Sequence, residues 1–228
     1  MTATSTSISA RIRAMAEPIW QAQHDHPFVR GIGDGTLPVE KFGNWLRQDY
    51  VYLIEYGRLF AYAAGRAPDL ATMNIFAKLL YDMTDGEMAL HKSYTAEFGI
   101  TVQELEQVEK WPTCQGYTDF LLRTATVGDY PELIAALLPC MWGYSDLGIH
   151  LFNQGLPDEE RYARWITVYA SQEFADLTQW TCDLLDRLSA GVPEAAQRRI
   201  EQAFITSARY ELAFWDMAWN GEKWPEES

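Results

Sequence analysis

Apolar residues recur at intervals of three and four along almost the whole chain, the spacing of one face of an α-helix. Ile8, Ile12, Met15, Ile19 and Trp20 predict a first helix over residues 7–25, preceded by a small, polar and frayed stretch, residues 1–7. Residues 26–38, with three glycines and two prolines in thirteen positions, read as a loop. From 38 to 65, Phe42, Trp45, Asp49, Tyr52, Tyr56 and Leu59 share one helical face, with Asp49 its one charged member. Residues 70–98 continue as a long helix or helix pair, with Asp69 placed to cap it and Gly99 to stop it. Thr101 and Glu104 have capping-box spacing, which opens a short helix to about residue 110. Further helices are predicted over 113–127, 130–153, 158–189 and 193–220. No window alternates with period two, and turn signals arrive far less often than the roughly 8–12 residues of an all-β domain. The expectation is therefore an all-α protein of seven or eight helices, with residues 1–228 in a single domain. No internal repeat and no linker rich in Pro, Gly or Ser divides it.

Composition narrows the partners. The 228 residues are 48% hydrophobic, with nine Trp and twelve Tyr, enough apolar surface to exclude an intrinsically disordered chain. A formal net charge of −14 argues against nucleic acid, whose affinity comes from cations that displace counterions along the phosphates. Cys114, Cys140 and Cys182 are odd in number and widely spaced, so neither a disulfide framework nor a thiolate zinc site is indicated. The N-terminus lacks the apolar run and cleavage pattern of a secretion signal, and no stretch approaches a membrane span. A cytoplasmic protein without a membrane partner is expected.

Candidate chemistry sits in a few strings. In AALLPCMWGYSD, Pro139 lies inside an apolar helical run directly before Cys140, where it removes a backbone N–H and is expected to kink the helix at the thiol. Tyr144 follows one turn later on the same face. A Cys in an apolar helix is most often an inert small hydrophobe, so this placement alone does not make a nucleophile. Glu211, among Tyr210, Leu212, Phe214 and Trp215, either faces outward or is desolvated, and desolvation raises a carboxyl pKa into the range of a general acid. Asp49, one turn from Trp45 and Tyr52, is expected to be buried and so to need donors, which the amino groups of a ligand would supply. Glu87 and His91 stand at i,i+4, a metal-compatible spacing, but no second such pair exists, and a structural role is favoured. His24 or His26 as a haem ligand has nothing else in the sequence to support it. The string GIGDG lacks the strand and full spacing of a dinucleotide fingerprint and reads as a turn.

Taken together, HPFVRGIGDGTLP, QDYVYL, EMALH, LIAALLPCMWGY, WITVYAS and RYELAFW, in this order and spacing, resemble the TenA or thiaminase II family of aminopyrimidine hydrolases. The resemblance runs from about Trp20 to Trp224, and Cys140 places the chain in the family's cysteine-bearing class. It implies a heme oxygenase-like helical bundle, usually a homotetramer, that acts in thiamin salvage. The implied reaction converts 4-amino-5-aminomethyl-2-methylpyrimidine to the 5-hydroxymethyl pyrimidine with release of ammonia, and many members also cleave thiamin. The resemblance further implies Cys140 as nucleophile, Glu211 as general acid and base, and Asp49 on the amidine edge of the pyrimidine. Tyr52, Tyr117, Tyr144 and Tyr169 match the tyrosines that line the ring. No metal and no organic cofactor is implied.

Those residue types suit the chemistry. A pyrimidine is a poor electrophile until a ring nitrogen is protonated, so an acid must act together with the thiolate. Phe28, Glu87 and His91 belong to matched strings without an assigned role and read as structural, while Glu173 is left open. The competing reading is a non-catalytic pyrimidine-binding or regulatory protein on the same fold, and a third puts oxidative chemistry on it, since fold does not fix function.

Overall fold

A computed structural model describes residues 7–87 and 94–227. Ten α-helices lie wholly within them: α1 (Ile8–His24), α2 (Pro27–Gly33), α3 (Val39–Gly65), α4 (Leu70–Asp82), α5 (Val102–Glu106), α6 (Pro112–Val127), α7 (Tyr130–Gln154), α8 (Glu160–Tyr169), α9 (Gln172–Ser189) and α10 (Glu194–Asn220). A π-helical turn, Met83–Glu87, extends α4, and no strand occurs among the described residues. The chain divides into two compact units, the first of residues 1–36 and 131–212, the second of residues 37–130 and 213–228.

In the first unit, Ile8, Ile12, Ala16 and Trp20 form the buried stripe of α1, a strict four-residue repeat. Met15, expected on that face, is 50% exposed. Trp20 stacks on Phe204 of α10 at 5.7 Å between centroids, and Trp142 of α7 meets both rings edge-on. Ser7, the last residue of the stretch expected to fray, caps α1 by accepting from the Ala10 N–H. Ser9 on the first turn donates through its N–H and Oγ to the carboxylate of Asp186 on α9.

The predicted loop over 26–38 is corrected: its first half is helix α2. Pro27 sits at the first helical position, where its missing N–H costs nothing, and His26 Nδ1 accepts from the Phe28 N–H at 3.1 Å. Phe28, Val29 and Ile32 are buried. Gly33 is the last residue of this helix, where a Cβ would meet Leu151 Cδ2 at 2.7 Å, whereas Gly35, at φ 76°, is the turn residue.

The expected 158–189 helix is also two. Chain direction changes at Ala170 and Ser171, and Ser171 Oγ starts α9 by accepting from the Phe174 N–H at 3.3 Å. The expected 130–153 helix is one element, α7, with Pro139 inside it.

In the second unit, α3 is the central element, with α4, α5 and α6 packed on it. Its buried face includes Phe42, Trp45, Asp49, Tyr52, Tyr56, Leu59 and Phe60. Asp69 accepts from the Thr72 N–H to cap α4, and Thr101 with Glu104 forms the predicted capping box on α5. Helix α5 ends at Glu106, short of the expected 110. From the last helix onward, Trp215 stacks against Trp45, Glu222 accepts from the Thr113 N–H at the start of α6, and Trp224 Nε1 donates to the Lys110 carbonyl at 3.0 Å. No described helix is long and apolar enough to cross a membrane.

Candidate active site

The first unit carries Cys140, Tyr144, Tyr169 and Glu211. Cys140 is half-buried on α7 and not in a disulfide, and Tyr144, one turn further on, is 6% exposed. The end of α8 brings Tyr169 to Tyr144 at 4.9 Å between ring centroids, with Trp165 at 4.7 Å from Tyr169 and Phe174 of α9 at 5.4 Å. Two of the predicted tyrosines are thus neighbours in an aromatic cluster contributed by three helices.

That cluster depends on Gly148. A Cβ at this position would lie 2.5 Å from the Tyr169 carbonyl carbon and 2.7 Å from the Ala170 nitrogen, main-chain atoms that cannot rotate away. Only a bare α-carbon lets α7 approach the end of α8 so closely. Gly148→Ala is expected to cost about 1–3 kcal/mol in urea unfolding, the usual penalty of forcing extra volume into a packed site. It is also expected to disturb Tyr169 more than any other ring of the cluster. An unchanged unfolding midpoint would show that the helices separate freely.

Glu211 on α10 is 3% exposed, which resolves the choice between an outward and a buried carboxyl. Helix α10 is tied to α7 where Ser207 Oγ donates to the Ala136 carbonyl at 2.6 Å, and Arg199 pairs with Glu132 further toward both N-termini. Ser207 stands one turn before Glu211, as Ala136 does before Cys140. A buried hydroxyl–carbonyl bond of this kind fixes the register of the two helices that carry the thiol and the carboxyl.

The second unit carries Asp49, Tyr52 and Tyr117. Asp49 is 6% exposed, as the apolar neighbours required. Tyr52 packs against Tyr117 of α6 at 5.2 Å, Tyr56 at 5.6 Å and Phe214 of α10 at 5.6 Å. Sequence reasoning missed Phe214, although it lies in the same RYELAFW string. It also missed Gly148. The signal for Gly148 was available, since a glycine inside a helix costs about 1 kcal/mol against alanine and usually marks close packing.

The three thiols differ in exposure: Cys140 is half-buried, Cys114 and Cys182 are buried. Burial pushes Cys114 and Cys182 each up to about 12, with nearby carboxylates adding to the effect. Neither supplies thiolate near neutrality. Titration of the native protein at pH 8 with a disulfide reagent is expected to modify Cys140 alone, and all three cysteines only after denaturation. Fast modification of native Cys140→Ser would contradict this.

Glu173 is exposed on the first turn of α9. His91 lies outside the described residues, as does the side chain of Glu87. His24 stacks on His150 at 4.1 Å with its Nε2 2.6 Å from the Asp146 carboxylate, and His26 caps α2. Burial and the neighbouring His24 lower the pKa of His150. Among the described residues, no group of three or more His, Cys, Asp or Glu is arranged to hold a metal ion.

Comparison with solved structures places the architecture first. A domain from Shewanella denitrificans with a heme oxygenase-like fold aligns with a TM-score of 0.71 at 13% identity, covering 93% of this chain and 92% of that one. The all-helical arrangement is therefore a heme oxygenase-like fold. The chain belongs to the TENA/THI-4/PQQC family, whose model matches residues 13–221. It is 42% identical over 96% of its length to an aminopyrimidine aminohydrolase of Halalkalibacterium halodurans, covering 98% of that protein. A TenA homologue of P. horikoshii superposes with a TM-score of 0.87 at 31% identity, over 95% of this chain and 100% of that one.

Proposed function

We propose that the protein is an aminopyrimidine aminohydrolase of thiamin salvage, acting as a single TenA-type domain on 4-amino-5-aminomethyl-2-methylpyrimidine. Cleavage of thiamin between pyrimidine and thiazole belongs to the same reading as a second activity of the same residues. The observation that carries it is the presence, within one unit, of the least buried thiol, Cys140, and a buried carboxyl, Glu211, on two helices joined by the Ser207 hydrogen bond. The Halalkalibacterium relative supports the substrate class.

In this reading the Asp49 carboxylate accepts from the 4-amino group and the adjoining ring edge, while Tyr52, Tyr117, Tyr144 and Tyr169 contact the ring. Binding of this kind holds the reacting carbon in a near-attack position. Glu211 delivers a proton to a ring nitrogen as the Cys140 thiolate adds to C6, so the negative charge brought by sulfur is neutralised in the ring. The adduct then expels the 5-methylene amine, which leaves as ammonia after taking up a proton. Water adds to the exocyclic alkene left behind, and departure of the thiolate from C6 restores the aromatic ring. The sum is aminomethylpyrimidine plus water giving hydroxymethylpyrimidine plus ammonia. No step calls for a metal or an organic cofactor.

The reading extends to a homotetramer in the cytoplasm. Exposed Leu70, Met73 and Tyr81 on α4 and Tyr62 on α3 support it, being apolar surface of the type that subunit contacts cover. Sedimentation equilibrium measures that assembly directly. The test of the activity is ammonia release from the aminopyrimidine, with thiamin as a parallel substrate. Turnover of the aminopyrimidine is expected. Tight binding of the pyrimidine with no turnover of either substrate would replace this reading with that of a binding or regulatory protein.

A further inference from the structure

Gln48 precedes Asp49 on α3 and is 1% exposed, yet it has no part in the chemistry above. Its side chain reaches instead to the segment that opens α6. Nε2 donates to the Glu109 carbonyl at 3.0 Å, and Oε1 accepts from the Trp111 N–H at 2.9 Å. The Gln48 backbone carbonyl accepts from Cys114 Sγ at 3.6 Å. One residue of α3 thus holds three points between 109 and 114.

The demand on residue type is narrow. A primary amide carries a donor and an acceptor side by side at its end. An ionised Glu would accept only and would set its charge against the Glu109 carbonyl. Met would fill the volume with neither function, leaving the half-buried Trp111 N–H and the Glu109 carbonyl without this partner.

Beyond the clamp, three residues after Cys114, stands Tyr117, itself 1% exposed and in contact with Tyr52. Tyr52 lies one turn after Gln48 on α3. The helix that presents one ring therefore also holds the start of the helix that presents the other. We propose that Gln48 is a positioning residue that sets the register of α6 on α3, so that Tyr52 and Tyr117 offer the aminopyrimidine one continuous aromatic surface. This rests on the pyrimidine-binding role given above to Asp49, Tyr52 and Tyr117.

The experiment compares full-length Gln48→Met and Gln48→Glu with Tyr117→Ala. It measures kcat and KM for ammonia release, hydrogen exchange of the peptide covering 109–114, and the alkylation rate of Cys140. In Gln48→Met, KM is expected to rise about tenfold with kcat within about threefold, the size of effect of one lost pair of part-buried hydrogen bonds. Exchange over 109–114 is expected to accelerate by a similar factor while Cys140 alkylation is unchanged. Gln48→Glu is expected to be worse. Should Gln48→Met lose its cooperative fold, Gln48→Asn, which keeps both groups one methylene short, carries the same comparison.

Wild-type KM in the Gln48 variants beside a raised KM in Tyr117→Ala overturns the proposal alone. Wild-type KM in Tyr117→Ala removes the binding role of Tyr117 and this proposal with it. A fall in kcat with unchanged KM and unchanged exchange would also overturn it, since it would place the effect on chemistry and not on presentation of the ring.

Discussion

Cys140→Ser is expected to lower ammonia release by a factor on the order of a thousand or more while leaving pyrimidine binding within a few-fold of the native enzyme. The substitution is small. Sulfur and oxygen differ little in volume at a half-buried position on α7, so neither the helix nor the Tyr144 cluster has reason to move. What changes is ionisation, since a serine hydroxyl yields almost no alkoxide near neutrality and needs a dedicated base to attack carbon. Neither remaining thiol can take over, because Cys114 and Cys182 are buried and held protonated. Single-turnover measurements would separate binding from chemistry. Turnover of Cys140→Ser within about tenfold of the native enzyme would exclude a cysteine adduct as the main route.

Glu211→Gln is expected to have the next largest effect, a loss of roughly a hundred- to ten-thousand-fold in kcat, the range associated with a positioned general acid or base. Gln keeps the shape and hydrogen-bonding capacity of the side chain at a position 3% exposed, but it has no proton to cycle between ring nitrogen and leaving group. The informative comparison is with the thiol. Alkylation of Cys140 in Glu211→Gln is expected to proceed as in the native protein, since the reagent carries its own leaving group and needs no acid. Loss of turnover together with loss of alkylation would mean that the substitution disturbs α7 through the Ser207 contact instead of removing a proton carrier. Activity within a few-fold of native would sink the acid–base role.

The helices were legible because burial leaves a periodic trace. The α3 face from Phe42 to Leu59, the Asp69 cap and the Thr101–Glu104 box all follow from local spacing and local hydrogen bonds. The errors came where two local signals conflict. Pro27 and three glycines in the 26–38 segment look like breakers, but Pro at the first helical position initiates, and Gly33 is selected by a neighbour, Leu151, far away in sequence. The break at Ala170 was hidden for a related reason: there is no gap in sequence between the helices, since Ala170 closes one and Ser171 caps the next.

Cys140, Glu211 and Asp49 stood out by residue type in apolar surroundings. Gly148 and Gln48 did not, since their importance lies in what approaches them. A glycine shows no hint of the Tyr169 backbone, and a glutamine shows no hint of a partner pair at Glu109 and Trp111. Such residues become visible only in three dimensions.

The Glu222 and Trp224 contacts on the opening of α6 bear on how the chain is made. Residues 37–130 leave the ribosome early, but the two side chains that fasten Lys110 and Thr113 follow some ninety residues later. At about 5–20 residues per second of synthesis, that is a wait of roughly 5–20 s. During it, Tyr52 lacks Phe214 and Trp45 lacks Trp215, so aromatic surface that ends up buried stays open to water and to other chains. The second unit can close only after translation has passed Trp224, so substitutions on the buried face of α3 act on the waiting nascent chain as well as on the stability of the finished protein.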